Sequence, residues 1–297
     1  MNSQVTISPA WFESWFDTPH YHRLYAQHDR REAVGFVDRP RNPLPSTGPR
    51  RTTPVHRGGT TVKYFGSEAL AFFRGLKKHN AKSWFEAHRE NYEQHVRGPL
   101  TGLVREMDSR FADFAPEFVG DPKRSMFRLN RDIRFSADKS PYKTHAACWF
   151  FHMGGSSKVG REAHGGGAGF YFHLEPGASM LGGGCWMPPR PALNKFRVAI
   201  ARDPRGFEKL VLAPKLKRSL GGLSEESMLK RAPRGYDEDH PAARWLKFQS
   251  FTVGKRLSDA EVTSARLTTI LQGHYEVMLP LVRWLNTTLG LSPARAR

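Results

Sequence analysis

The densest concentration of reactive side chains runs from Lys123 to Lys143, KRSMFRLNRDIRFSADKSPYK. It holds seven cations (Lys123, Arg124, Arg128, Arg131, Arg134, Lys139, Lys143) and two acids, Asp132 and Asp138. An extended backbone over 128–135 puts Arg128, Asn130, Asp132 and Arg134 on one face and Leu129, Arg131, Ile133 and Phe135 on the other. Such a row suits an anion held between guanidinium forks, with Asp132 orienting them. Ser140-Pro141 then predicts a turn that presents Lys139, Tyr142 and Lys143. Together these residues make a candidate pocket for phosphate or carboxylate. The competing interpretation is internal: the two acids satisfy neighbouring arginines and knit the fold. Exposed pairs of that kind contribute about 0–1 kcal/mol each. A second polar patch, KRAPRGYDEDHP at 230–241, offers Arg234, Asp237, Asp239 and His240 to the same site. Equally, Asp239 can cap a helix beginning at Pro241.

Other reactive types carry weaker signals. His145, His152, His164 and His173 lie near predicted strands, but none shows HExxH or HxH spacing, so no metal site is expected. Cys148 and Cys185 are too few for a disulfide framework or a cysteine-based zinc site. Gly182-Gly183-Gly184 does not follow the GxGxxG pattern and precedes no clear helix, so no nucleotide cofactor is expected.

The elements that must position the basic segment follow from periodicity. Ser67 is expected to cap a first helix that runs to about His79, and Ser83 with Glu86 has the Ser-x-x-Glu capping pattern. Pro99 suits the first turn of a helix whose Leu100, Leu103, Val104, Met107 and Phe111 share a face. Strands are predicted at 146–152, 169–175 and 179–187, the last two joined through Pro176-Gly177. The glycine run in the third marks a bulge or a close backbone approach. Beyond Pro188, a helix opens at Pro191 with Leu193, Phe196 and Ile200 inward, and Asp203 caps the next. The polar stretch 215–241 reads as turns, and 248–253 as a short strand. Ser258 with Glu261 forms a second capping box, and Pro280 should kink or restart the closing helices. Helices, then strands, then helices argue an α+β fold: an antiparallel sheet flanked by N-terminal and C-terminal helices.

The 297 residues carry 46 Lys plus Arg against 28 Asp plus Glu, a formal charge of +18. That excess favours anionic partners. No apolar run reaches the roughly 18 residues of a membrane helix, and no secretory signal opens the chain. A cytoplasmic protein without a membrane partner is expected. The first 60 residues differ from the rest. From Arg39 to Arg57 there are five prolines and five arginines and no acid, an extended linker. The expected organisation is a fragment at 1–38, a linker at 39–61, one α+β domain at 62–290 and a tail at 291–297.

Several blocks resemble a known family. FRLNRDIRFSADKSPYK at 127–143 looks like the signature of DUF2461, an uncharacterised family found in bacteria and fungi. FFRGLKKHNAKSWFEAHRENYE at 72–93, FYFHLEPGASMLGGGCWMP at 170–188, ALNKFRVAI at 192–200, LKRAPRGYDEDHP at 229–241 and PLVRWLN at 280–286 follow in the expected order. The resemblance covers about residues 64–288 and implies no established activity. Separately, WFESWFDTPHYHRLYAQHDRREAVGFVD at 11–38 resembles the opening of class I SAM-dependent methyltransferases. No glycine-rich loop follows it, so it is read as a detached, dispensable fragment and methyltransferase activity is not expected.

Three functions compete. In the first, the domain binds or processes a phosphate-bearing small molecule. Arg128, Asn130, Arg131, Arg134, Lys139 and Lys143 hold the anion, Asp132 or Asp138 is the acid/base group and Tyr142 a donor. The second is a nucleic-acid-binding module that uses the same cations on backbone phosphates. The third is a structural or interaction domain with an internal arginine network. Whether the chain is an enzyme, and its oligomeric state, are open at this stage.

Overall fold

The computed structural model describes residues 62–132, 138–155 and 167–293. The N-terminal fragment, the linker, Arg134 and His164 lie outside the described residues. Residues 61–131 and 140–297 make up one compact unit; Asp132, Asp138 and Lys139 fall in a separate one.

The first helix, α1 (Ser67–Lys78), buries Ala69, Leu70, Phe72, Phe73 and Leu76, a stripe at helical spacing. Glu68 in its first turn and Lys77 and Lys78 in its last suit the helix dipole. Its N-cap is Gly66 and no side chain caps it, so Ser67 is its first residue instead of its cap. Short helices α2 (Lys82–Ala87) and α3 (Arg89–Tyr92) lead through a π-helical turn at 93–97 into α4 (Gly98–Phe114). The expected capping box at Ser83 is absent. α2 starts two residues earlier, with Ala81 as its N-cap, and Glu86 is occupied by a bidentate pair with Arg89 at 2.6 and 2.9 Å. In α4, Pro99 sits in the first turn and the five predicted apolar residues are the buried ones.

Strand β1 (Phe118–Val119), which sequence periodicity missed, is two residues long. After α5 (Pro122–Ser125) come β2 (Ala146–His152), β3 (Gly169–Leu174) and β4 (Met180–Cys185). Then α6 (Arg190–Arg202), α7 (Pro204–Val211) and α8 (Pro214–Leu220) follow, and α9 (Ala243–Leu246) precedes β5 (Phe251–Arg256). Helix α8 falls where turns were expected; its buried Leu216 and Leu220 are i,i+4 neighbours hidden among lysines and arginine. The strand expected at 248–253 begins three residues later. The chain ends in α10 (Asp259–Val262) and α11 (Leu267–Thr288). α10 has both halves of the Ser258–Glu261 capping box. α11 continues through Pro280. The carbonyl that proline leaves unbonded belongs to Glu276 on the exposed side, where water can satisfy it.

The five strands form one antiparallel sheet in the order β1-β2-β3-β4-β5. Its two faces differ. Ala146, Cys148, Phe150, Phe170, Phe172, Leu174, Leu181, Cys185, Phe251 and Val253 join the main core, and Ala147, Trp149, Phe151, Tyr171 and Met180 do not. Phe111 of α4 lies 5.1 Å from Phe150 and 5.3 Å from Phe170, ring to ring, and Tyr275 of α11 lies 4.8 Å from Phe170. The helices therefore cover the first face. Gly183 allows this approach: a Cβ there would stand 2.8 Å from Met278 Sδ. The expected consequence of the glycine run is thus a close approach. Two polar contacts fasten α11 to the sheet. Asn286 and the backbone of Ala168 exchange hydrogen bonds of 2.8 and 3.1 Å. Buried Glu117 accepts from Arg283 at 2.6 and 3.2 Å. Among the described residues, no helix is long and apolar enough to cross a membrane.

Candidate functional site

The residues after α5 run along β2 on the side of β1, past the two residues that β1 pairs. Met126 bridges Cys148, and Phe127 N–H donates to Ala147 O at 3.0 Å. The chain then leaves the edge, turns and returns on itself: Asn130 bridges Tyr142, Arg131 N–H donates to Pro141 O and Lys143 N–H to Leu129 O, both at 2.9 Å. This small antiparallel clasp sets the basic segment at the start of β2. Alternation follows, as predicted for the first half of the segment. Arg128 and Asn130 are exposed while Leu129 is buried.

The clasp brings Lys143 into electrostatic reach of both Arg128 and Arg131. Lys143 is partly buried, with its ammonium 5.8 Å from the Phe127 ring centroid. Burial first, then the Arg128 and Arg131 charges, push its pKa down to about 8. Arg131 is fixed by a 2.7 Å hydrogen bond from Nη1 to Ser140 Oγ.

Other predicted members are placed differently. Tyr142 does not share the side of Lys143. Adjacent residues on extended backbone point opposite ways, and its ring is buried, stacked 4.5 Å from Phe85. Asn80 clamps its backbone, donating to Tyr142 O at 2.8 Å and accepting from Tyr142 N–H at 3.1 Å. Tyr142 is therefore a packing residue. Asp132, Asp138 and Lys139 are exposed, and none belongs to the unit that carries Lys143. Arg134 is outside the described residues. In the second patch, Arg234 is exposed and His240 Nδ1 accepts from Ala242 N–H at 3.0 Å, closing a turn. Among the described residues no hydrogen bond, ion pair or ring contact joins either to the cation cluster. Asp239 caps no helix: α9 starts at Ala243 with Ala242 as its N-cap.

The structure adds three residues that spacing did not pick out. Ala146 pairs with Leu174 and Ala147 with His173. His145 and Glu175 therefore end the same ladder, and His145, His173 and Glu175 share the face that turns away from the main core. His173 Nε2 lies 3.0 Å from Glu175 Oε2, and its Nδ1 is 3.2 Å from the Tyr171 hydroxyl. Glu175 Oε1 accepts from Thr144 Oγ1 at 3.3 Å. The His145 ring packs on His173 with centroids 4.2 Å apart. One ligand atom from each of the three lies within 4.8 Å of the others. Burial, then His173, Lys143 and Arg131, hold His145 well below the usual imidazole pKa, so it is neutral at pH 7. The available signal was His173-x-Glu175, which strand alternation places on one face. The third member comes from a neighbouring strand and needs the register.

The order of blocks can be set against known families. The family model described as "Conserved hypothetical protein (DUF2461)" matches residues 68–284, most of the chain. The chain belongs to the DUF2461 family. No curated protein and no solved structure matches it. The matched span of this DUF2461 chain runs from α1 into α11 and contains the clasp, the cation cluster and the His145–His173–Glu175 group.

Proposed function

We propose that this DUF2461 domain binds a small molecule bearing a phosphate or carboxylate, through Arg128, Arg131 and Lys143. The single observation behind the reading is the state of Lys143. Its ammonium is partly buried and feels the charges of Arg128 and Arg131, and no acidic side chain pairs with it among the described residues. Like charges crowded near a low-dielectric surface are unfavourable on their own. An anion between them offsets that cost and gains charge-assisted hydrogen bonds. A cytoplasmic setting fits the two free, buried cysteines.

Calorimetric titration of the full chain with inorganic pyrophosphate tests the proposal. Binding is expected at pH 7, weakening as the pH rises through about 8 and Lys143 loses its proton. Lys143→Met should abolish it. Equal binding by parent and variant would remove Lys143 from the site. Absent pyrophosphate binding beside salt-sensitive binding of an oligonucleotide would instead make the cluster a nucleic-acid contact.

A further inference from the structure

We propose that His145, His173 and Glu175 form a binding site for a divalent first-row transition ion. Two imidazole nitrogens and one carboxylate oxygen favour zinc, iron, cobalt or manganese over magnesium or calcium, which take oxygen donors. With bonds near 2.1 Å, ligand atoms around a tetrahedral ion lie about 3.4 Å apart. Here the 3.0 Å contact between His173 and Glu175 is already shorter than that, and all three ligand atoms fit within 4.8 Å. Small side-chain rotations suffice to converge them.

The surroundings match what a metal-binding histidine needs. A ligating imidazole usually has its second nitrogen held by a neighbour, which fixes the tautomer and the ring plane. Tyr171 Oη does this for His173 Nδ1 at 3.2 Å, and Thr144 steadies the far oxygen of Glu175. Without an ion, Nε2–H donates to Glu175. When an ion takes Nε2, the proton moves to Nδ1 and donates to Tyr171 instead, so no polar atom of His173 is left unsatisfied. A plain His–Glu pair would account for two of the three residues. It does not account for His145, a residue only 9% exposed whose ring packs on His173 with centroids 4.2 Å apart.

Three protein ligands leave coordination positions open, the pattern of a site that takes a substrate or water. The ion with Glu175 carries a net single positive charge beside Lys143 and Arg131, so the open positions favour an anionic ligand. The metal inference does not depend on that ligand, and its test omits phosphate.

The full chain, stripped with a chelator and kept in chloride buffer, is titrated with Co²⁺ and followed by visible d–d absorption. One equivalent should bind with a tetrahedral or five-coordinate spectrum, and Zn²⁺ should displace it. Glu175→Gln and His145→Ala should each lose the spectrum while keeping the parent's circular dichroism. Tyr171→Phe, which retains all three ligands, should bind about 10- to 100-fold more weakly. A parent that binds no Co²⁺, or variants that reproduce its spectrum and stoichiometry, would overturn the site. Should His145→Ala unfold, Glu175→Gln alone decides, since its side chain keeps the shape of the carboxylate.

Discussion

The two faces of the sheet are built from alternate residues of the same strands and have opposite characters. On the helix side stand Phe150, Phe170, Phe172, Leu174 and Leu181, packed ring on ring against Phe111 and Tyr275. On the other side stand Trp149, Tyr171, His173 and, at the end of the ladder, His145 and Glu175. Both sets are buried or nearly so, which means burial alone does not separate core from site. Side-chain chemistry does: the titratable His145, His173 and Glu175 stand on the second face. Trp149 Nε1 and Thr252 Oγ1 on the second face, and His274 Nδ1 on α11, are buried with no hydrogen-bond partner among the described residues. Buried groups of that kind are rare and costly in native folds. The second face carries two of the three and, at the start of β2, the His145–His173–Glu175 group.

The sharpest way to break this contrast is Phe170→Ala. Phe170 is fully buried and touches Phe111, Phe118 and Tyr275 at 5.3, 4.9 and 4.8 Å. Loss of the ring should cost about 3–5 kcal/mol, by transfer and cavity terms together. Urea denaturation measures it. At low temperature, where the variant remains folded, Co²⁺ and pyrophosphate binding should match the parent. A loss of binding in the folded variant would show that the two faces are not independent.

Lys143→Met probes the opposite face and should act in the opposite direction. The folded-state pKa of about 8 is below the ordinary 10.5, so between these values the unfolded chain holds more protons than the folded one. Stability therefore rises with pH across that window, as the buried ammonium discharges. Below pH 8 the charge is a standing penalty. Its removal should stabilise the fold at pH 7 by on the order of 1 kcal/mol, discounted because the side chain is partly exposed. The gain should shrink towards pH 10. Thermal melts of both proteins from pH 6 to 10 check this. A variant less stable than the parent at pH 7 would mean that Lys143 packs or pairs favourably.

Much of the fold was legible because its elements obey short-range rules. The five buried positions of α4, the β3–β4 hairpin and the Ser258 cap follow from periodicity and local hydrogen bonding. What escaped was decided at longer range. α8 is cationic outside a two-residue apolar stripe, and β1 is too short to show alternation. The candidate site was legible in part. Arg128, Arg131 and Lys143 stood out as candidates by charge density, and the clasp sets Lys143 within reach of both arginines. Tyr142 was misplaced because its outward presentation assumed a turn, where the chain forms a paired clasp that sends its ring to Phe85. His145, His173 and Glu175 were missed because a ladder assembles them across two strands, and no spacing along one strand encodes the register.

The smallest expected effect supplies a scale for the others. Ser258 Oγ accepts from Glu261 N–H at 3.2 Å, and Ser258 N–H donates to Glu261 Oε2 at 2.7 Å. The cap borders β5 but belongs to neither group of side chains. Ser258→Ala removes the hydroxyl half and should cost about 1 kcal/mol. It should leave Co²⁺ and pyrophosphate binding unchanged. The Ser258 backbone N–H first, then its hydroxyl, holds the Glu261 carboxyl below the ordinary 4.5. A lowered carboxyl contributes stability above its unfolded value and loses it as the pH falls through the folded one. The parent–variant difference should therefore be full at pH 7 and shrink in acid, as the pH falls through the lowered Glu261 pKa and the reciprocal bond weakens. A difference that is flat in pH would assign the whole effect to the serine hydroxyl and none to its carboxylate partner.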